Sequence, residues 1–160
     1  MSASGVRSIT RDDLPAVLHT LVRAFDDDPW FNFVVRQDER RRQRLSIWID
    51  RALQRTVALG ETYTTNTLQG AALWTPPGHA ASSILNEIEL RFALLRVAGR
   101  DRVGLTRQAV RIINASHHPG PSMDLRIVGV APEVQGTGIA GALLRPMLTR
   151  CNAAGLAVTL

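Results

Sequence analysis

The stretch Val128-Gly-Val-Ala-Pro-Glu-Val-Gln-Gly-Thr-Gly-Ile-Ala-Gly-Ala142 holds the residues best suited to chemistry. A run rich in β-branched residues, Ile127-Val128-Gly129-Val130, feeds a turn through Pro132, and a glycine-rich loop then opens directly into an apolar helix. A loop of this kind leaves several backbone N–H groups unpaired and aimed at one spot, with the positive end of the helix dipole behind them. The chemistry that suits it is phosphate binding.

Two patterns compete for the same letters. Gly136-Thr137-Gly138-Ile139-Ala140-Gly141 spells the dinucleotide fingerprint G-x-G-x-x-G. In that fingerprint the first glycine follows the strand directly, and an acidic residue about 20 positions later holds a ribose. Here Ala131 to Gln135 intervene, and no Asp or Glu follows Glu133. The second pattern, Gln-x-x-Gly-x-Ala at Gln135, Gly138 and Ala140, is preceded by the Val-x-Pro of Val130 and Pro132. Together with a helix-rich first half and the hairpin ahead of it, this resembles the GNAT superfamily of acetyl-CoA-dependent N-acetyltransferases. The resemblance is strongest over residues 124–160 and rests on element order alone over 6–75.

The resemblance implies an α/β fold with a mixed, mostly antiparallel sheet and helices on both faces. Val128, Gly129 and Val130 would lie on the fourth strand, whose backbone pairs with the pantetheine amides much as another strand would. Gln135, Gly136, Thr137, Gly138, Ile139 and Ala140 would form the pyrophosphate loop. Gly136 and Gly138 would keep side chains away from the phosphate oxygens, and small Ala140 and Gly141 would let the helix approach the sheet. The implied reaction is direct acetyl transfer from acetyl-CoA to a primary amine of a small molecule or peptide, with no covalent enzyme intermediate and no metal.

An alkyl ammonium with a pKa near roughly 10 needs a base to free its lone pair. Asp124 is the candidate, six residues before Val130, where GNAT histone acetyltransferases carry a Glu on this strand. Being one methylene shorter, it would act through a water. The alternative is that Asp124 only starts the strand at the surface. Family members often protonate the leaving thiolate with a Tyr on the helix after the fifth strand, whereas the only Tyr here is Tyr63, in the early hairpin. By the same resemblance the chain stops within the fifth strand, so that further C-terminal strands and a helix would be missing. A second reading follows: a non-catalytic CoA-binding or assembly module, completed by another chain or by a second copy at the unfinished sheet edge.

The elements that must position these residues show in the periodicity. Val6 to Thr10 predicts a short strand, and Thr10-Arg-Asp-Asp13 a capping box. Behind it, Leu14, Val17, Leu18, Leu21, Val22 and Phe25 share one helix face, and Asp26-Asp-Asp-Pro29 stops that helix. After an aromatic stretch, Trp30 to Val35, a second helix is expected over Asp38 to Leu59, with Gly60 as its cap. Glu61 to Asn66 and Gln69 to Thr75 read as a hairpin ended by Pro76-Pro77-Gly78. Two helices, Ser83 to Ala98 and Arg102 to Ala115, would form an insertion at 78–118. Asp124 to Ala131 is expected as a strand, Gly138 to Asn152 as a helix and Leu156 to Leu160 as the opening of another strand. Pro146 should bend that helix near Ala142.

At 160 residues, 45% hydrophobic and 21% charged, the chain reads as a single domain over 1–160, and one cysteine excludes a disulfide scaffold. Its apolar runs are too short to cross a bilayer, and the first residues lack the apolar run of a signal peptide, so a cytoplasmic location is expected. The net charge of +5 rests on 19 basic residues, all Arg. Nucleic-acid binders usually mix both cations, so the absence of Lys reads as codon bias of the source genome and not as a polyanion surface, although a basic chain still favours an acidic ligand such as a phosphorylated cofactor. His117-His118, with His19 and His79 distant in sequence, show no metal-ligand spacing. Cys151 is expected to be a small buried hydrophobe, Arg40 to Arg44 a solvated helix face, and Asp26 to Asp28 a turn whose carboxylates can also attract a cationic amine.

Overall fold

The computed structural model describes residues 5–79, 104 and 120–160. Five strands form one sheet in the order β1 (Val6–Ser8), β2 (Thr62–Thr65), β3 (Gly70–Thr75), β4 (Ser122–Val130) and β5 (Ala157–Thr159). Every pairing is antiparallel except β4 with β5, which is parallel. The mixed, mostly antiparallel sheet expected from the sequence is therefore present, and helices cover both of its faces.

One face carries α1 (Leu14–Ala24), α2 (Pro29–Val34) and α3 (Arg41–Ala58). In α3, Leu45, Ile49 and Leu53 recur every fourth residue on one stripe and are fully buried against Val17 and Leu21 of α1 and Leu73 of β3. The other face carries α4 (Ile139–Ala154), whose Leu143, Met147 and Cys151 pack on Ala72, Trp74 and Met123. Strand alternation sorts β3 between the two cores, with Ala71 and Leu73 on the first side and Ala72 and Trp74 on the second.

The entry to α1 is pinned by Asp13. Its carboxylate accepts both Nη atoms of Arg7, at 2.6 and 2.8 Å, together with the backbone N–H and the hydroxyl of Thr10. The capping box read from Thr10 to Asp13 is formed, first as a short 3₁₀ turn over Arg11–Asp13. These donors hold the Asp13 carboxyl well below the usual carboxylate range.

Several expectations need correction. The second long helix starts at Arg41, three residues later than expected, because Asp38 caps the preceding turn by accepting from the Arg40 N–H. The aromatic stretch after Asp28 is itself helical as α2, with Asp28 accepting from the Phe31 N–H at 3.0 Å and Pro29 in the first turn. Helix α4 continues through Pro146 to Ala154, two residues past the expected end at Asn152. The insertion expected at 78–118 falls almost wholly outside the described residues, as do its helices, apart from Gly104, which is helical. Among the described residues no helix is long and apolar enough to cross a membrane.

Candidate functional site

Strand β4 is held on one edge by β3, from Asp124 opposite Thr75 to Val130 opposite Gly70. On its other edge β5 pairs only with Ser122, Met123 and Asp124. From Leu125 to Val130 that second edge has no strand partner among the described residues. A row of unpaired main-chain groups of this kind is a ready template for another extended chain.

Past Val130 the chain makes a 3₁₀ turn over Pro132–Val134 and enters the glycine loop. Gln135 folds back so that its Nε2 donates to the Val130 carbonyl at 3.1 Å, and the Thr137 hydroxyl donates to the Val134 carbonyl at 2.7 Å. Gly136 and Gly138 adopt φ of +76° and +85°, a region costly for any residue with a Cβ, and a Cβ on either would point into open space. The first turn of α4 closes with the Ala142 N–H on the Gly138 carbonyl. The amides of Gly136 through Ala140 have no acceptor among the described residues. They form a concave set of donors at the start of a 16-residue helix, a geometry that suits an anion.

The strand edge and the loop meet in one cleft of about 400 Å3. Val128, Gly129, Val130, Gln135, Gly136, Gly138, Ile139 and Ala140 line it, so the structure brings together every residue expected at the cofactor site except Thr137. Ala24, Phe25 and Val134 also line it and were missed, the first two because the end of α1 reaches the site only through tertiary packing. A Cβ at Gly129 would lie 2.7 Å from Leu21 Cδ2 and 3.0 Å from Phe25 Cε2, so the glycine is what lets α1 rest on β4 at the mouth of the cleft. No charged side chain lines the cleft among the described residues; recognition there falls to the main chain.

The small residues Ala140 and Gly141 do not bring α4 onto the sheet, contrary to expectation. Both are exposed, and a Cβ on Gly141 would meet nothing within 4 Å. The close approach lies at Gly70 of β3, where a Cβ would sit 3.0 Å from both Ile139 Cγ2 and Leu143 Cδ1.

The opposite end of β4 is built of polar side chains. Asp124 is 4% exposed and accepts from the Ser122 hydroxyl at 2.7 Å, flanked across the sheet by Thr75 and Thr159. It does not start the strand at the surface; it is the third residue of β4 and is buried. One position later the register slips, with Leu73 opposite Ile127 but Trp74 opposite Leu125, which leaves Arg126 as the extra residue of a bulge. Bulges of this kind re-aim a side chain next to a site. Arg126 Nε donates to the Thr75 hydroxyl at 3.2 Å. Its pKa is lowered, first by desolvation and further by Arg55, against the opposing pull of Asp124.

The remaining candidates take structural places. Arg41 is buried, not solvated. Its Nε and Nη2 donate to the Asp26 carbonyl at 3.1 and 2.7 Å, Nη1 to the Phe31 carbonyl at 3.2 Å, and Nη2 also to Asn32 Oδ1 at 2.5 Å. Arg42 pairs with Asp26 and Arg44 with Asp38. Asp26 is thus committed to Arg42, Asp27 accepts from Asn32 and Asp28 caps α2, a turn role for all three. Cys151 is 2% exposed, and burial pushes its thiol pKa up. Tyr63 packs into the core beneath α4. His19 and His79 are exposed, while His117 and His118 lie outside the described residues. No group of three His, Cys, Asp or Glu able to hold a metal occurs among the described residues.

No family model matches the chain. Solved structures with the same fold do. A Corynebacterium glutamicum protein described as histone acetyltransferase HPA2 and related acetyltransferase is 21% identical, with a TM-score of 0.67 over 94% of this chain and 72% of its own. Arylalkylamine N-acetyltransferase 2 from Aedes aegypti is similar at 15% identity and a TM-score of 0.65, over 95% of this chain and 72% of its own. The polyamine N-acetyltransferase of Drosophila melanogaster is similar at 14% identity and a TM-score of 0.64, with the same coverage of 95% and 72%. The fold is therefore one shared with acetyltransferases.

Proposed function

We propose that this chain is an acetyl-CoA-dependent N-acetyltransferase that acts on a primary amine of a small molecule or peptide. The observation that carries the reading is the continuity of the cleft. The edge of β4 at Val128–Val130, which no strand covers among the described residues, runs straight into the free amides of Gly136–Ala140, so one extended arm followed by a diphosphate matches both. The open space beside Gly136 and Gly138 leaves room for phosphate oxygens against the main chain. The names of the structural neighbours, which act on arylalkylamines and polyamines, support an amine as acceptor.

Acetyl-CoA supplies an acetyl group activated as a thioester. The acceptor ammonium must lose a proton before its nitrogen has a lone pair. Asp124, with one oxygen held by the Ser122 hydroxyl, takes that proton through a water, since the carboxylate is short and buried. The nitrogen–carbon bond then forms as the carbon–sulfur bond breaks, and the departing thiolate takes the second proton, which the acetylated nitrogen loses in becoming an amide.

Titration calorimetry with CoA, followed by thiol release from acetyl-CoA with a panel of amines, tests the proposal. Binding that weakens about tenfold or more in Gly138→Val, together with amine-dependent thiol release, is expected. Absence of CoA binding overturns the reading. Binding without thiol release replaces it with a non-catalytic CoA module, and tighter binding of NAD than of CoA replaces it with a dinucleotide site.

A further inference from the structure

At the polar end of β4 two opposite charges lie two residues apart without meeting. Asp124 spends one oxygen on the Ser122 hydroxyl. Arg126, thrown out of register by the bulge, spends only Nε, and on a neutral hydroxyl, that of Thr75. Its two Nη groups have no acceptor among the described residues. The pairing across the sheet places Thr75 and Thr159 on either side of Asp124, and the Thr159 hydroxyl is buried with no hydrogen-bond partner.

A guanidinium fork with its outer nitrogens unused matches a carboxylate in two-point geometry. Desolvation, the first cause lowering the Arg126 pKa, thins the hydration of its guanidinium, so an anion that pairs with it displaces little water. The residue as a whole is exposed, so a solute can reach it. Asp124, by contrast, is suited to a positive group.

We infer that the acceptor is zwitterionic, an amino acid whose carboxylate seats on Arg126 while its amine faces Asp124. The inference rests on the acetyl-transfer reading of the same strand and specifies its substrate class. Polyamines and arylalkylamines lack the carboxylate, so this chain would differ in preference from the structural neighbours whose names mention those amines.

The test uses pairs of acceptors that share an amine and differ only in the carboxylate: phenylalanine with phenethylamine, and arginine with agmatine. Thiol release is measured for the full chain, and equilibrium binding of the same four compounds is measured with and without CoA. The amino acid of at least one pair should be preferred by roughly tenfold or more in kcat/KM and in affinity, the scale for a site whose charged group is otherwise left unpaired. Arg126→Gln should erase that preference, and Arg126→Lys should restore part of it. Equal use of both members of each pair, preference for the decarboxylated amines, or a preference that survives Arg126→Gln overturns the inference. If CoA fails to bind while the amino acid still binds through Arg126, the acetyl-transfer reading falls and the zwitterion site stands. If CoA binds and no amino acid is preferred, the reverse holds.

Discussion

The two ends of β4 recognise by different means. From Ile127 onward the strand and the loop beyond it offer main-chain groups, apolar side chains and glycines, with no charged side chain at the cleft. From Ser122 to Arg126 the same strand offers a hydroxyl, a carboxylate and a guanidinium, and it is bulged where the two styles meet. Main-chain donors are indifferent to side-chain substitution so long as the backbone holds its shape, so they suit a partner common to many reactions. Side chains can be exchanged one at a time, so they suit a partner that differs from one enzyme to the next.

The contrast predicts separable effects. Asp124→Asn should lower kcat by about 10²–10⁴-fold, the usual scale for loss of a general base, with the CoA Kd unchanged; a variant of undiminished turnover removes Asp124 from the reaction. Gly138→Val should do the opposite. A β-branched residue forced to a φ of +85° costs on the order of 1–2 kcal/mol and crowds the loop, so CoA affinity should fall about tenfold or more by calorimetry, with the acceptor preference unaltered.

Gly129→Ala tests the seam between α1 and β4. The added methyl meets fully buried Leu21, so unfolding in urea should show a loss of about 1–3 kcal/mol, with weakened CoA binding because Phe25 is displaced at the cleft. Asp13→Asn should have the smallest effect, a loss of roughly 1 kcal/mol from a helix start far from either end of the strand, seen in unfolding and in neither kinetic readout. Its pH dependence has a fixed sign. The folded-state pKa of Asp13 is depressed, so its stabilisation is present above about pH 4, the unfolded value, and fades as the pH falls below that. The gap between wild type and Asp13→Asn should therefore close in acid.

How much of this was legible in the sequence differs along the strand in the same way. The cleft was readable because its parts are local: a β-branched run, glycines at loop positions and an apolar helix directly after them all lie between Ile127 and Ala142. The bulge was not, since Arg126 is extra only relative to the facing strand, which lies far away in the chain. Arg41 was hidden among look-alike neighbours, and its burial depends on where the Asp26 and Phe31 carbonyls arrive. The helix α2 did leave a local signal, an Asp cap followed by Pro29 at the first turn, which the aromatic residues around it masked. Likewise the tight contact of α4 with the sheet was assigned to the small residues on the helix, whereas the space is made by a glycine on the strand beneath.

Arg41 grips the segment between α1 and α3 mostly by its carbonyl oxygens, which every sequence supplies. The course of the segment is therefore set by main-chain groups, and exchanging the exposed Asp27 would vary the surface that the segment presents while that course over the molecule stays the same.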